Sequence, residues 1–274
     1  MHKKNNFLYV IIVSLLFFLT LDNATDSEIE NRRLNENTKS ADIYDLIEKV
    51  FDQKDLNILK DLVKICGVDC DDKNGISILH LAIFSGNHDM TKYLISEGVD
   101  INRKDKYFQS PPIYHAVSRN NIILTQLLKA GANPNTASKG GITALMIASY
   151  ENFADNVSIL IKYGANVNQT DIEGRSAIFY AAEAGHYEII KILVSVGADI
   201  NIINKRKENI LVLMLMMGHN ELIDSFCKDN VNNINQQLTT LIIHDLTNLK
   251  QDIPLNKLKE LQTSVSHCLK KIKE

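Results

Sequence analysis

The sequence predicts an all-α solenoid: stacked helix-turn-helix units with projecting hairpin fingers and a helical cap at each end. Three observations predict it. Gly98, Gly131, Gly164 and Gly197 stand 33 residues apart. Each opens a near-copy of one phrase: Gly98-Val-Asp-Ile-Asn102, Gly131-Ala-Asn-Pro-Asn135, Gly164-Ala-Asn-Val-Asn168 and Gly197-Ala-Asp-Ile-Asn201. A Ser or Thr opens an apolar run at the same register, as in Ser77-Ile-Leu-His-Leu-Ala82, Thr143-Ala-Leu-Met-Ile-Ala148 and Ser176-Ala-Ile-Phe-Tyr-Ala181. A fixed period of this length marks a stack of similar units rather than one globular core. Function is therefore sought on a surface rather than in a pocket.

The remaining landmarks keep the same period. Asp105, Ser138, Asp171 and Asn204 follow the glycines by seven residues, and Asp72 holds that place one unit earlier. Gly75, Gly141 and Gly174 come three later, with Phe108 and Lys207 as exceptions. Units thus begin at 72, 105, 138, 171 and 204. In the second of these, Ser110-Pro-Pro-Ile-Tyr-His115 keeps the Ser-Pro start but places His115 where the others carry a small alanine.

Each unit reads as two short helices. Ser or Thr before the apolar run is an N-cap, its hydroxyl accepting an orphan N–H of the first turn. Ala82, Ala148 and Ala181 let two helices approach closely. Gly86, Gly185 and Gly218 end the first helix, with Asn152 and Arg119 as substitutes. The second helix carries Met90, Tyr93 and Leu94, or Ile189, Ile192 and Leu193, at helical spacing. The periodic glycine closes it, because a left-handed C′ position is nearly free of steric cost only for glycine. A helix of about nine residues does not survive alone in water, so the neighbouring unit must supply its stability.

With these residues in place, the chain resembles the ankyrin-repeat family. Asp72…Gly75…Ser77…Leu79-His80 matches the family's opening signature, and Gly185-His186 and Gly218-His219 its middle one. The Gly-Ala-Asp-x-Asn phrases match its close. The resemblance spans roughly residues 41 to 235 and implies L-shaped units stacked into a curved solenoid. It also implies that His80 bonds loop backbone rather than transferring protons. The last unit departs most, with Asn209 for Thr, Met214 for alanine and Asn230 for the closing glycine, as a terminal repeat beside a cap does.

The flanks read as caps. Residues 41–71 form a degenerate first repeat whose finger is two residues short, since Gly67 precedes Asp72 by five. Leu238, Leu241, Ile242, Leu246 and Leu249, then Leu258, Leu261, Val265, Leu269 and Ile272 after Pro254, make two helical stripes of a C-terminal cap over 237–274. The last stripe also has the character of a partner-binding amphipathic helix.

The N-terminus is separate. His2-Lys3-Lys4 precedes a 15-residue run, Phe7 to Leu21, broken only by Ser14 and Thr20. A basic start and an apolar stretch of this length describe a secretory signal, and the run is short of the roughly 20 residues that span a bilayer. Two readings follow for residues 1–24: a signal cleaved after Ala24, or an uncleaved membrane anchor over residues 7–21. Asp22 at position −3 weakens the cleavage motif. Both readings export the repeats, because Lys3 and Lys4 stay inside. Residues 25–40 are polar and poor in apolar residues, hence a flexible linker.

The net charge of −3, or −4 once Lys3, Lys4 and Asp22 leave, argues against a nucleic-acid partner. Lys104-Asp-Lys106 and Lys205-Arg-Lys207 read as solvated finger charges. Among the four cysteines, Cys66 and Cys70 straddle the Gly67 turn, where a disulfide is open but unproven. Cys227 reads as a core thiol, and Cys268 is unassigned. Cys66, Cys70 and His80 do not make a recognised zinc spacing, so no metal and no cofactor is expected. No nucleophile elbow, His-Glu-x-x-His or phosphate loop is present. His186 and His219 recur at helix starts, and His115 reads as a satisfied core histidine. The 39 residues after Asn235 are too few for a catalytic domain, so no enzyme is expected.

What remains is a binding surface for an unidentified protein partner. The family's partners lie along the finger tips and the exposed side of the first helices, which implies the concave face of the stack. At the tips the matching residues are Lys106, Tyr107 and Gln109, then Lys139, then Ile172, Glu173 and Arg175, then Lys205 and Arg206. On the first helices they are Phe84 and Ser85, Val117 and Ser118, Tyr150 and Glu151, Glu183 and Ala184. Tyr107, Phe84 and Tyr150 are the expected anchors, since aromatic side chains dominate interface energetics.

Overall fold

A computed structural model describes residues 37–229 of the chain, apart from 108, 119, 120, 220, 221, 224, 227 and 228. The expected leader, C-terminal cap, Cys227, Cys268 and Asn230 lie outside the described residues. So does most of the expected linker. Its last residues do not: α1 runs Asn37–Gln53, beginning inside the 25–40 segment. A polar segment cannot be buried, but one more turn costs little once Ile47 and Val50 anchor the same helix in the core.

Among the described residues ten further helices follow: α2 Leu56–Cys66, α3 Ile78–Phe84, α4 His88–Ser96, α5 Pro112–Ala116, α6 Asn121–Lys129, α7 Ala144–Tyr150, α8 Ala154–Lys162, α9 Ala177–Ala184, α10 Tyr187–Ser195 and α11 Ile210–Met217. No strand occurs among the described residues; a single antiparallel bridge joins Asp71 to Ser77. From α3 onward the helices pair as predicted. First helices pack in one row, α3 on α5, α5 on α7, α7 on α9 and α9 on α11, and second helices in another, α2 on α4 and so on to α10. Ala82, Ala148 and Ala181 are fully buried where first helices meet, and Met90, Leu94, Ile189 and Leu193 where second helices do.

Paired hydrogen bonds end both helix rows. Val99 donates to the Leu94 carbonyl and Gly98 to Ile95, and the pair recurs at Gly131, Gly164 and Gly197. This double bond caps the otherwise unpaired last carbonyls and needs a left-handed residue at the glycine. First helices end the same way at Gly86 and Gly185; at Asn152, which adopts φ 63°, the Phe153 N–H makes the longer bond to the Ala148 carbonyl. Gly185 has a second reason to be glycine: a Cβ there would come 2.7 Å from the His219 ring.

The N-caps were predicted only in part. Ser77 and Thr143 accept the N–H of His80 and Met146, each at 3.4 Å, and Asn209 accepts that of Val212 at 2.9 Å. Ser176 makes no such bond, because the Phe179 N–H turns to the Ser176 carbonyl at 2.9 Å instead.

The unit at 105 corrects the predicted register. Elsewhere the finger closes over four residues, as in Asp72 N–H to Ile76 O and Asp171 N–H to Arg175 O; here Asp105 N–H reaches Ser110 O, one residue further. The left-handed position falls on Gln109 (φ 50°), matching Gly75, Gly141 and Gly174, so Phe108 is no exception. Pro111 stands at the N-cap and Pro112 at the first helical position, where a missing N–H costs nothing. Ser110 is therefore not the cap. Ala116, fully buried, takes the place of Ala82 and Ala148, and His115 moves out to the place of Leu81 and Tyr180. The next turn is one residue shorter and restores the period: α6 starts five residues after Ala116, whereas α4 starts six after Ala82.

Fingers are tied to one another by side chains the phrase repeats. Asn135 Oδ1 accepts the Asn166 N–H and Asn168 Oδ1 the Asp199 N–H, while their amides donate to the Gly164 and Gly197 carbonyls. At the first, shortened finger a disulfide joins Cys66 to Cys70, whose Cα atoms are 5.7 Å apart.

Candidate interaction surface

Four of the five fingers, those opening on Asp72, Asp105, Asp171 and Asn204, are shaped by that carboxylate or amide. Asp72 Oδ1 accepts the N–H groups of Asn74 and Ile76, Asp171 Oδ1 those of Glu173 and Arg175, and Asn204 Oδ1 those of Arg206 and Glu208. These turns hold the tip side chains outward. Tyr107 and Ile172, each 57% exposed, are large apolar groups standing at tips two units apart, with the finger of Lys139 between them. Lys106, Lys139, Lys205 and Arg206 are exposed beside them. Lys106 lays its stem across Gly75, where a Cβ would meet its Cδ at 2.8 Å. Gln109 is exposed, but its amide folds back onto the Asp105 and Lys106 carbonyls. Lys104 donates to the Ala137 carbonyl and Asp105 is buried, so Lys104-Asp-Lys106 is not one solvated charge cluster.

The expected tip and helix residues fall into three groups. Tyr107 and Ile172 are open. Phe84, Ser85, Tyr150, Glu151, Glu173, Glu183 and Ala184 are half-buried. Phe84 meets the His115 ring edge-on at 4.8 Å, and Tyr150 meets Tyr180 at 6.5 Å. Val117 is only 1% exposed and is removed from the surface: the register shift that moves Ala116 into the contact carries Val117 into the core and leaves Ser118 outside.

Arg175 also differs from expectation. Its Nε donates to Asp171 Oδ2 at 2.9 Å, its Nη2 to Tyr180 Oη at 3.1 Å, and its Nη1 lies 3.5 Å from Glu183. Tyr180 Oη donates to the same Asp171 oxygen at 2.7 Å. Burial pushes the Tyr180 phenol up, and it raises the Glu183 carboxyl against the opposing pull of Arg175. The guanidinium lies 4.8 Å from the Tyr180 ring centre. This is a structural clamp between a finger and α9, exposing only an edge of Arg175.

His80, buried between units, contacts Ser77 Oγ through Nδ1 at 2.8 Å and the Ser110 carbonyl through Nε2 at 3.3 Å, the loop-backbone bond the resemblance implied. Burial, and then the nearby His115, lower it to about 4. His186 and His219 reach back to the Tyr150 and Glu183 carbonyls of the preceding first helices. A groove of about 420 Å³, lined among others by Ser118, Asn121, Phe153 and Asn156, lies at the end of the helix pairs away from the fingers. It sits beside the shortened turn of the unit at 105.

The comparisons agree with this geometry. A family model described as ankyrin repeats (3 copies) matches residues 46–138 and 113–204. Ankyrin repeat and SOCS box protein 6 of Mus musculus is 39% identical over 72 residues, 26% of this chain and 17% of that protein. The B-cell lymphoma 3 protein homolog of Mus musculus is 34% identical over 97 residues, 34% of this chain and 22% of that one. An ADP-ribosylation factor GTPase-activating protein of Arabidopsis thaliana is 38% identical over 72 residues, 26% of this chain and 9% of its own. The chain thus spans less than a quarter of each of these relatives. With the family model matching residues 46–204, and with paired helices and linked fingers from the unit at 72 onward, the chain belongs to the ankyrin-repeat family.

Proposed function

We propose that this chain is a non-catalytic binding scaffold whose finger tips and first helices hold a protein partner on the concave face of the stack, outside the cytoplasm. The observation that carries the binding reading is the exposure of Tyr107 and Ile172 on the fingers that flank the one bearing Lys139. Large apolar side chains held outward by rigid turns lose little entropy on binding and make good anchors. Exposed Lys106, Lys139, Lys205 and Arg206 along the same tips favour a partner that presents carboxylates. Capture of interacting proteins with the full chain and with Tyr107→Ala/Ile172→Ala tests this. A protein retained by the first and lost by the second, at unchanged melting temperature, supports the tips as the interface. Equal retention removes them.

The basic start and apolar run of residues 1–24 support export, and the Cys66–Cys70 disulfide is the kind of bond that persists in an oxidising compartment. A second reading keeps residues 7–21 as an anchor, favoured by Asp22 in the cleavage motif. N-terminal sequencing of the mature chain separates them. A start at Thr25 establishes cleavage, Met1 in the membrane fraction establishes an anchor, and Met1 in the soluble cell fraction refutes both.

A further inference from the structure

We propose that His80, Asp105 and His115 form a binding site for a zinc-type divalent ion at the junction of the first two full units. One ligand atom from each residue lies within 4.8 Å of the others. His80 and Asp105 are buried and His115 is half-buried, so the cluster sits inside the stack with one edge toward solvent. Two imidazoles and a carboxylate are a donor set that zinc accepts, leaving a fourth position open. A tetrahedron with bonds of about 2.1 Å has edges of about 3.4 Å. His115 Nε2 and Asp105 Oδ2 already stand 3.4 Å apart, and no separation within the set exceeds 4.8 Å.

Elsewhere in the chain this place is filled differently. In the unit at 171, Tyr180 occupies the helix position of His115 and donates to Asp171 at 2.7 Å, a normal hydrogen bond. His115 to Asp105 at 3.4 Å is too long for an equally good one. The inserted finger residue is what brings the two imidazoles together, since it turns His115 onto Asp105 and His80. Their ring centres are 5.6 Å apart, edge to face.

Ser110 supplies an independent observation. Its side chain is fully buried and its Oγ has no hydrogen-bond partner. Its N–H donates to Asp105 Oδ2 at 2.9 Å and its carbonyl lies 3.3 Å from His80 Nε2, so it wraps the cluster and offers an uncommitted oxygen. Ser77 Oγ, 2.8 Å from His80 Nδ1, can accept a hydrogen bond from Nδ1–H, in which tautomer Nε2 gives up its hydrogen bond to the Ser110 carbonyl and turns its lone pair to the ion. Such outer partners fix the tautomer of a ligating histidine.

The chain itself provides conservative variants. Leu81 holds the position of His115 in the preceding unit, and Asn204 the position of Asp105 in the last, so His115→Leu and Asp105→Asn install residues this fold already accepts. Zn²⁺ is titrated into the untagged full chain and into both variants, read by calorimetry and melting temperature, and Co²⁺ is used for its visible bands. The wild type should bind one equivalent with tetrahedral cobalt bands and a raised melting temperature. Each variant should keep its helical signal and lose affinity by about a hundredfold or more. Absence of binding by the wild type at micromolar metal, or undiminished binding by His115→Leu and Asp105→Asn through other histidines, overturns the site.

Discussion

Asn135 grips the next finger from both sides: its Oδ1 accepts the Asn166 N–H at 2.6 Å while its Nδ2 donates to the Gly164 carbonyl at 3.0 Å. Asn168 repeats the arrangement one unit on, toward Asp199 and Gly197. The last asparagine of the first three phrases, Asn102, Asn135 and Asn168, is thus a link between units, which is why it recurs with the period of the stack. Asn135→Ala removes both bonds and should lower the unfolding free energy by about 1–3 kcal/mol, at about 0.5–1.5 per hydrogen bond. Urea unfolding measures it. A loss under about 0.3 kcal/mol would mean that water replaces the link.

Lys207 stands where Gly75, Gly141 and Gly174 stand in other units and adopts φ 65°. An L-residue pays for that conformation and glycine does not. Lys207→Gly should therefore raise stability, by up to about 1 kcal/mol after the extra entropy of the unfolded glycine is offset. The opposite change at Gly141 should be severe, because a Cβ there would sit 2.9 Å from the Asp171 Cα of the next finger. Thermal unfolding of both variants checks the pair. Destabilisation by Lys207→Gly would contradict the register assigned to the last unit.

The repeat architecture was legible because it rests on local chemistry: glycine where φ turns positive, a capping side chain before an apolar run, apolar spacing at helical period. The unit at 105 was misread for a specific reason. Its finger gains one residue and its next turn loses one, so the 33-residue count between Gly98 and Gly131 is unchanged and counting alone places His115 on the alanine. The buried signal was the Pro111-Pro112 pair, which fits a helix start one residue later. Val117 was misplaced by the same slip. Arg175 was misplaced for another reason: pairing with Asp171, Tyr180 and Glu183 depends on side-chain direction, which period does not encode. The cluster of His80, Asp105 and His115 joins residues from two units and has no sequence spacing to announce it.

Leu193 on α10 is fully buried and stands at the closing end of the second helix, its carbonyl capped by Ala198. Leu193→Ala should cost about 2–5 kcal/mol, the span set by how far neighbouring units collapse into the space. In a stack stabilised by nearest neighbours, the loss should lower the denaturant midpoint and can also broaden the transition. Equilibrium unfolding followed by circular dichroism measures both. A cost below about 0.5 kcal/mol would contradict the packing of second helices.

His80 makes the metal-free stack sensitive to acid. Burial is the main cause of its fall to about 4, followed by His115, with Asp105 acting against them and Arg103 with them. An unfolded imidazole titrates near about 6.5. Between those values the unfolded chain binds a proton that the folded chain refuses, so stability rises with pH there. The contribution is whole above about 6.5, declines as pH falls, and levels off below about 4, with a total of at most about 3 kcal/mol. His80→Met should remove this dependence and keep the fold, because Met146 holds the corresponding place two units later and its sulfur accepts the Thr143 N–H at 3.4 Å. Urea unfolding between pH 4 and pH 7 in chelator compares the two chains. The wild type should lose the more stability toward acid, and parallel curves would show that His80 is not the group that titrates.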